Sequence, residues 1–384
     1  MGQIVVVGAS LAGVHAVEAL RNEGYDGGLV LIGAESHRPY DRPPLTRLRP
    51  GHEPEWKSLR AQSWYSDLDV RLELGRTATR LRPGDRTVRL DDGEDVPYES
   101  LVIATGSSTR PLPGGDHGVH TLRSIDDAAW LSSRLSDGGS VVIVGAGFLG
   151  LEVAASLRTA GVNVTVVEVA PVPLARVFGD EVGDWFRQYH ARHGVEIMCD
   201  AFAAAVEPTG RGHGHRVRLQ DGRVLDADIV VSAVGAVPAD GWLRTSGLLL
   251  ADGVVCNARL QASLPNVVAA GDVARWYNPL FDETMRVEQW TNAVEQGRHA
   301  ARSLLGDPEP YAPVPYLWSD QFDARLRFVG RANATEVQIN ERTDDSLVAV
   351  YSRDGVVVGA LCVNAPARLA EQRDAIKNRR ALVQ

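Results

Sequence analysis

"VVVGASLAGVHAVEALR" (residues 5–21) begins as a short apolar strand, turns through Gly8, Ser10 and Gly13, and continues with a helical apolar period. Strand, glycine turn and helix in this order form the start of a dinucleotide-binding βαβ unit. One feature departs from G-x-G-x-x-G: Ser10 stands at the middle glycine. That position brings backbone close to a pyrophosphate. A small side chain turned aside fits there, and its hydroxyl can donate to phosphate. The first glycine allows the tight turn, and the third lets helix and strand pack closely. The helix N-terminus offers unpaired N–H groups and a partial positive charge to the anion.

The unit is written twice. "VIVGAGFLGLEVAASLR" (142–158) aligns on the first copy with Gly145 over Gly8, Gly147 over Ser10 and Gly150 over Gly13. Each copy passes through a glycine turn into a second strand, "LVLIGAE" (29–35) or "VTVVEV" (164–169). These strands end at Glu35 and Glu168, each about 20 residues past its glycines, where a carboxylate accepts hydrogen bonds from ribose hydroxyls. "LVIATGSS" (101–108) and "NVVAAGDVARW" (266–276) are further apolar strands that end in glycine turns. Their order around the second copy predicts that this copy is inserted into the first domain. The fold class expected is α/β: two Rossmann-like dinucleotide-binding domains, glutathione reductase-like, plus a small C-terminal α+β domain.

Composition narrows the partners. The chain has 384 residues, enough for two or three domains, with 44% hydrophobic and 23% charged residues. A net charge of −9 disfavours a general nucleic-acid or anionic-membrane surface. Cys199, Cys256 and Cys362 are too scattered for a disulfide framework, a zinc site or a self-contained iron–sulfur cluster, and read as reduced thiols. The histidines show no ligand spacing, so no metal is expected. "GHGH" (212–215) reads as a hairpin tip. With no basic leader or long apolar span, a cytoplasmic protein is expected, a monomer or weak dimer.

"RPYDRPPLTR" (38–47), "ATGSS", "GAGFLGLEVAASL", "NVVAAGDVA", "RVEQWTNAVEQGRHAA" (286–301) and "PYLWSDQFDARLRFVG" (315–330) follow in this order. Together they resemble the FAD-dependent NADH:ferredoxin reductases of oxygenase and cytochrome P450 electron-transfer chains. These are putidaredoxin reductase-like members of the pyridine nucleotide-disulfide oxidoreductase superfamily that lack the redox disulfide. The resemblance implies an FAD domain of residues 1–108 and 236–312, an NADH domain of 109–235 and a C-terminal interface domain of 313–384. It implies hydride transfer from NADH to FAD, then single electrons to a [2Fe–2S] ferredoxin, and indirectly to a P450 or Rieske oxygenase. Two alternatives stay open: another acceptor, rubredoxin or a small molecule, or an NADH-binding signalling flavoprotein like apoptosis-inducing factor.

Residue by residue, the resemblance places Gly8, Ser10, Gly13 and Glu35 on FAD. It sets Arg42 and Pro43 along the flavin and Ala104, Thr105 and Gly106 in its wall. Gly271 leads to Asp272, whose carboxylate would meet a ribityl hydroxyl. Glu288 and Gln289 would meet the pyrimidine edge. Trp290 and Trp318 would wall the flavin, and Arg123 would reach a cofactor phosphate. Gly145, Gly147, Gly150 and Gly235 would hold the nicotinamide dinucleotide. Glu168 selects NADH: like charges ~4 Å apart cost roughly 4 kcal/mol at an effective dielectric of about 20, which penalises a 2′-phosphate. "EVAPVPL" (168–174) contains no arginine to offset that cost. Relatives carry lysine where this chain has Arg47, paired near the flavin with a glutamate matching Glu152, here expected in the first helical turn. Arg47, Glu152 and Trp318 are therefore the catalytic candidates. "WSDQF" looks too polar for a core strand and reads as a site-facing turn. Arg325, Arg327, Arg331, Arg368, Arg373, Lys377, Arg379 and Arg380 would form a cationic acceptor surface.

Overall fold

The computed structural model describes residues 2–112, 118–135, 138–209 and 214–382. The chain divides into two compact units. One comprises Met1–Asp41, Lys57–Ser108 and Val237–Leu317; the other comprises Arg42–Trp56, Thr109–Ala236 and Trp318–Gln384.

The first unit is built on a five-stranded parallel sheet with Ile4–Val7 at its centre. Leu29–Gly33 and then Val70–Leu74 lie on one side, with Ser100–Ile103 and then Val267–Ala269 on the other. Ile4–Val7 is buried along its whole length, which explains its unbroken apolar run where a half-exposed strand would alternate. The chain leaves this strand first to one side and later returns on the other. The switch point of the sheet therefore lies at Gly8, where α/β folds open a ligand crevice. The helix Leu11–Asn22 buries Ala12, Val14, Ala16, Val17 and Leu20 and packs against Trp290–Leu304. The crossing is close: a Cβ on Gly297 would fall 2.3 Å from the Ala12 carbonyl oxygen.

The second unit repeats the plan. Ser140–Val144 is flanked by Asn163–Val167 and Ile229–Ser232, with Glu196–Met198 and Val119–His120 outermost, all parallel. The unit also holds a five-stranded C-terminal sheet in the order Tyr316–Gln321, Ala324–Gly330, Val356–Val363, Leu347–Arg353, Glu336–Arg342. The helix Pro366–Lys377 packs on this sheet. Ala203–Pro208 and His215–Leu219 pair antiparallel, and Gly212 and His213 of the expected tip between them lie outside the described residues. Among the described residues, no helix is long and apolar enough to cross a membrane.

Candidate active site

In the first unit, Gly8 N–H donates to the Ile32 carbonyl (2.8 Å) and Ala104 N–H to the Val7 carbonyl (2.7 Å). Gly8 has φ 119°, and a Cβ there would sit 2.0 Å from the Ala104 carbonyl oxygen. A Cβ on Gly13 would sit 2.0 Å from the Gly8 carbonyl oxygen. Ser10 is the N-cap residue in extended conformation, and its hydroxyl makes no capping hydrogen bond, so no side chain seals the helix N-terminus. Glu35, two residues past its strand, accepts the Tyr40 hydroxyl at 2.6 Å.

The returning turns close around the same switch point. Thr105 Oγ1 donates to the Ala239 carbonyl at 2.8 Å, and Ala239 N–H donates to the Gly106 carbonyl at 3.0 Å. Ser107 Oγ donates to Asp272 Oδ2 at 2.9 Å. Asp272 lies inside the short 3-10 helix Gly271–Val273, whose N-cap is Ala270, so it does not cap a helix. Gly271 N–H donates to the buried Gln296 Oε1 at 2.8 Å. Arg286 ties the next segment to it, donating to the Asp272 carbonyl (3.2 Å) and to the Glu288 carboxylate. Gln289 is the N-cap of Trp290–Leu304, and its buried Oε1 has no partner among the described residues. Trp290 Nε1 donates to Asp41 Oδ1 at 2.7 Å.

The second unit reproduces these bonds almost atom for atom. Gly145 N–H donates to the Val167 carbonyl (2.8 Å) and Ala233 N–H to the Val144 carbonyl (2.7 Å). A Cβ would lie 2.5 Å from the Ala233 carbonyl oxygen at Gly145 and 2.0 Å from the Gly145 carbonyl oxygen at Gly150. Gly147, the N-cap of Phe148–Thr159, faces open space within 4 Å and is uncapped. The Glu168 carboxylate takes one backbone N–H on each oxygen, from Ala146 (2.6 Å) and from Ala170 (2.8 Å). Gly235, at φ 103°, accepts the Arg110 N–H at 3.0 Å through its carbonyl. The residues present fit dinucleotides: each unit has a tight glycine turn, an uncapped helix N-terminus and a carboxylate closing its second strand.

Glu152 is the fifth residue of Phe148–Thr159, one turn deeper than expected. Its Oε1 accepts the Ser319 hydroxyl at 2.5 Å; the Thr46 hydroxyl, which donates to the Pro43 carbonyl at 3.0 Å, also favours the ionised form. Loss of water pushes its carboxyl up to about 7, against the lowering effect of those two hydroxyls; Asp320 raises it slightly and Arg47 lowers it slightly. The expected Arg47–Glu152 ion pair is not made. Arg47 follows the 3-10 turn Pro43–Thr46 and is exposed, acting on Glu152 only as a weak field. Arg42 donates to the Arg123 carbonyl at 2.5 Å, and Arg123 N–H donates to Asp127 at the capping box of Ile125–Arg134.

"WSDQF" is not a turn. Trp318, half-buried, Ser319 and Gln321 belong to the strand Tyr316–Gln321, and the chain turns only at Phe322, φ 54°. Ser319 and Gln321 are two apart and therefore share a face, which is fully buried and internally hydrogen-bonded. That spacing was the signal available in the sequence; Thr46 offered none. Four of the eight cations expected on the C-terminal surface lie against carboxylates. Arg325 and Arg327 lie 3.7 and 2.8 Å from Asp320, Arg368 lies 3.7 Å from Glu371, and Arg380 lies 2.5 Å from Asp374.

The sequence profile described as pyridine nucleotide-disulphide oxidoreductase matches residues 2–297. The chain belongs to this family. A second profile, reductase C-terminal, matches residues 316–384. Among relatives of the pyridine nucleotide-disulphide oxidoreductase, the biphenyl dioxygenase system ferredoxin–NAD(+) reductase component of Paraburkholderia xenovorans is 36% identical, covering 94% of this chain and 90% of that one. The solved ferredoxin reductase for the CYP199A2 system from Rhodopseudomonas palustris is 33% identical with a TM-score of 0.93, covering 99% and 96%. The reductase in the covalent putidaredoxin reductase–putidaredoxin complex is 29% identical with a TM-score of 0.91, covering 98% and 93%. The fold class read from the sequence is that of these reductases.

Proposed function

We infer that this oxidoreductase is an FAD-dependent NADH:ferredoxin reductase serving an oxygenase or a cytochrome P450. The observation that carries the reading is the doubled nucleotide cradle, one in each unit, in a chain whose three cysteines are all free thiols. When bound, FAD would supply the redox chemistry, accepting a hydride from NADH and passing single electrons to a [2Fe–2S] ferredoxin. No cysteine precedes Cys199 and "DRPPLT" (41–46) holds none, so electrons would leave the flavin directly rather than through a thiol.

The chain's own residues bind and orient. In the first unit, Gly8, Ser10 and Gly13 would receive the FAD pyrophosphate and Glu35 the adenosine ribose. Ala104, Thr105, Gly106 and Asp272 would line the same ligand, with the unpartnered Gln289 Oε1 available to a donor on its ring edge. Glu288 holds its segment through Arg286, and Trp290 is fixed in orientation by Asp41. In the second unit, Gly145, Gly147, Gly150 and Gly235 would receive NADH. Glu168, locked by two backbone N–H groups, would meet the ribose and repel a 2′-phosphate. Glu152 would lie at the nicotinamide end of this cradle. Arg42, Pro43, Arg47, Arg123 and Trp318 keep the flavin-side roles that the resemblance implies. Free thiols suit a reducing compartment, and we place the protein in the cytoplasm.

The test is electron delivery. Purified protein with NADH should reduce cytochrome c rapidly only when a [2Fe–2S] ferredoxin is added. Equal rates with and without ferredoxin would remove the assigned acceptor.

A further inference from the structure

A chain of three hydrogen bonds runs through the second unit and ends on Glu152. His190 Nε2 lies 2.8 Å from Gln321 Oε1, Gln321 Nε2 donates to Ser319 Oγ at 3.1 Å, and Ser319 Oγ donates to Glu152 Oε1 at 2.5 Å. His190, Gln321 and Ser319 are completely buried. Their direction is determined by chemistry. Ser319 accepts the Gln321 amide N–H, so its own proton is left for Glu152, and an ionised carboxylate is the acceptor that suits it. The Gln321 carbonyl oxygen then needs a donor, which makes His190 the Nε2–H tautomer.

The His190 end shows that this arrangement is more than core filling. Its Nδ1 is buried without a partner among the described residues. It sits on the helix Asp180–Arg192 among rings, with Tyr189 and Phe322 edge-on to it. A phenyl ring would fill that space without the orphaned nitrogen but would strip Gln321 Oε1 of its donor, so the imidazole is accounted for by what its other nitrogen does. Burial lowers its basicity to about 4, which keeps the ring neutral and its Nε2–H a donor.

We propose that Ser319, Gln321 and His190 are positioning residues that fix the orientation of the Glu152 carboxylate and set the pH at which it takes up a proton. The role assigned to Glu152 at the nicotinamide end rests on the function proposed above; the chain itself does not. The charged and titratable groups that act on Glu152 are Asp320 and Arg47, and the Thr46 hydroxyl, which donates to the Pro43 carbonyl, also favours its ionised form. Both charges are weaker influences than the two hydroxyls, so Ser319 is the largest single lever on the carboxylate after burial.

The experiment is a pH titration of the protonated-carboxyl infrared band that Glu152→Gln abolishes, recorded on the whole purified protein. Ser319→Ala should move the midpoint up by roughly one pH unit. Gln321→Met should move it in the same direction by less, and Ser319→Thr should restore it. Gln321→Met keeps side-chain volume and carries the test should Ser319→Ala not fold. A midpoint unmoved in both the Ala and the Met variants would overturn the proposal. Flavin reduction by NADH is followed on the same samples. A moved midpoint with an unmoved pH profile for reduction would retain the chain and remove Glu152 from the nicotinamide end.

Discussion

The two cradles share their backbone bonds and differ in what their helices carry. Where the first helix has Ser10 the second has Gly147, and where the first has His15 the second has Glu152. Both titratable groups lie one turn past the glycine turn and are at least partly buried, yet they are treated in opposite ways. His15 is held by Glu18 on its own helix, at 3.0 Å, and burial lowers its basicity. Glu152 is held by hydroxyls distant in the sequence, and burial raises its carboxyl to about 7. The scaffold needs only the turn and the helix N-terminus. The second-turn position is open to specialisation, and in the second unit it carries a carboxyl raised to about 7.

The largest expected contrast comes from the turns themselves. Gly8→Ala drives a Cβ into backbone at 2.0 Å, and the purified protein should lose most of its flavin. Gly145→Ala makes the matching collision at 2.5 Å, and that protein should stay yellow while losing reduction by NADH. Flavin absorbance and anaerobic NADH mixing check the pair. Loss of flavin from the second variant alone would reverse the assignment of the cradles.

Glu168→Arg probes the carboxylates. Removing the repulsion should shift the NADPH-to-NADH preference by up to about a thousandfold, from roughly 4 kcal/mol. The measurement is kcat/KM for both nucleotides. Glu168 also accepts the Ala146 and Ala170 N–H groups, so part of the effect will appear as weaker binding of either one. Glu168→Gln, which keeps an acceptor, separates the two contributions.

Opposite treatment of His15 and Glu152 predicts opposite pH dependence. A carboxyl raised to about 7 from 4.5 contributes stability that is complete below about 4.5 and lost as pH rises through about 7. Glu152→Gln should therefore raise the unfolding free energy more at pH 8 than at pH 5, by at most about 3 kcal/mol, seen as a larger rise in thermal midpoint at pH 8. A histidine of lowered basicity contributes stability present above about 6.5 and lost as pH falls through its folded value. His15→Gln should show its benefit only on the acid side, checked by unfolding at pH 5 and pH 8.

Ser10→Gly should have the smallest effect. The hydroxyl caps nothing, and glycine differs from serine at an N-cap by only a few tenths of a kcal/mol, so FAD affinity should change about twofold or less. A flavin-loss titration reads it directly. A large loss would show that the hydroxyl grips phosphate.

The cradles were legible in the sequence because their determinants are local: glycines, a strand before, a helix after and an acid one strand on. The setting of Glu152 was not. Its partner Ser319 lies 167 residues away in the chain. The resemblance pairs a cation at Arg47 with Glu152, whereas Arg47 is exposed and the Ser319 hydroxyl holds the carboxylate. "WSDQF" was misread because polar residues in a strand usually face water; here they satisfy one another inside. The arginines of the last module looked like a patch because sequence does not show which acids fold back upon them.

Anaerobic rapid mixing of the purified, unmodified protein with NADH tests the central claim most directly, because it asks both cradles to act at once. The account predicts a yellow protein whose flavin band bleaches on mixing and recovers when oxidised [2Fe–2S] ferredoxin is added. A protein that takes up no flavin, or a bound flavin that NADH leaves oxidised, would contradict it.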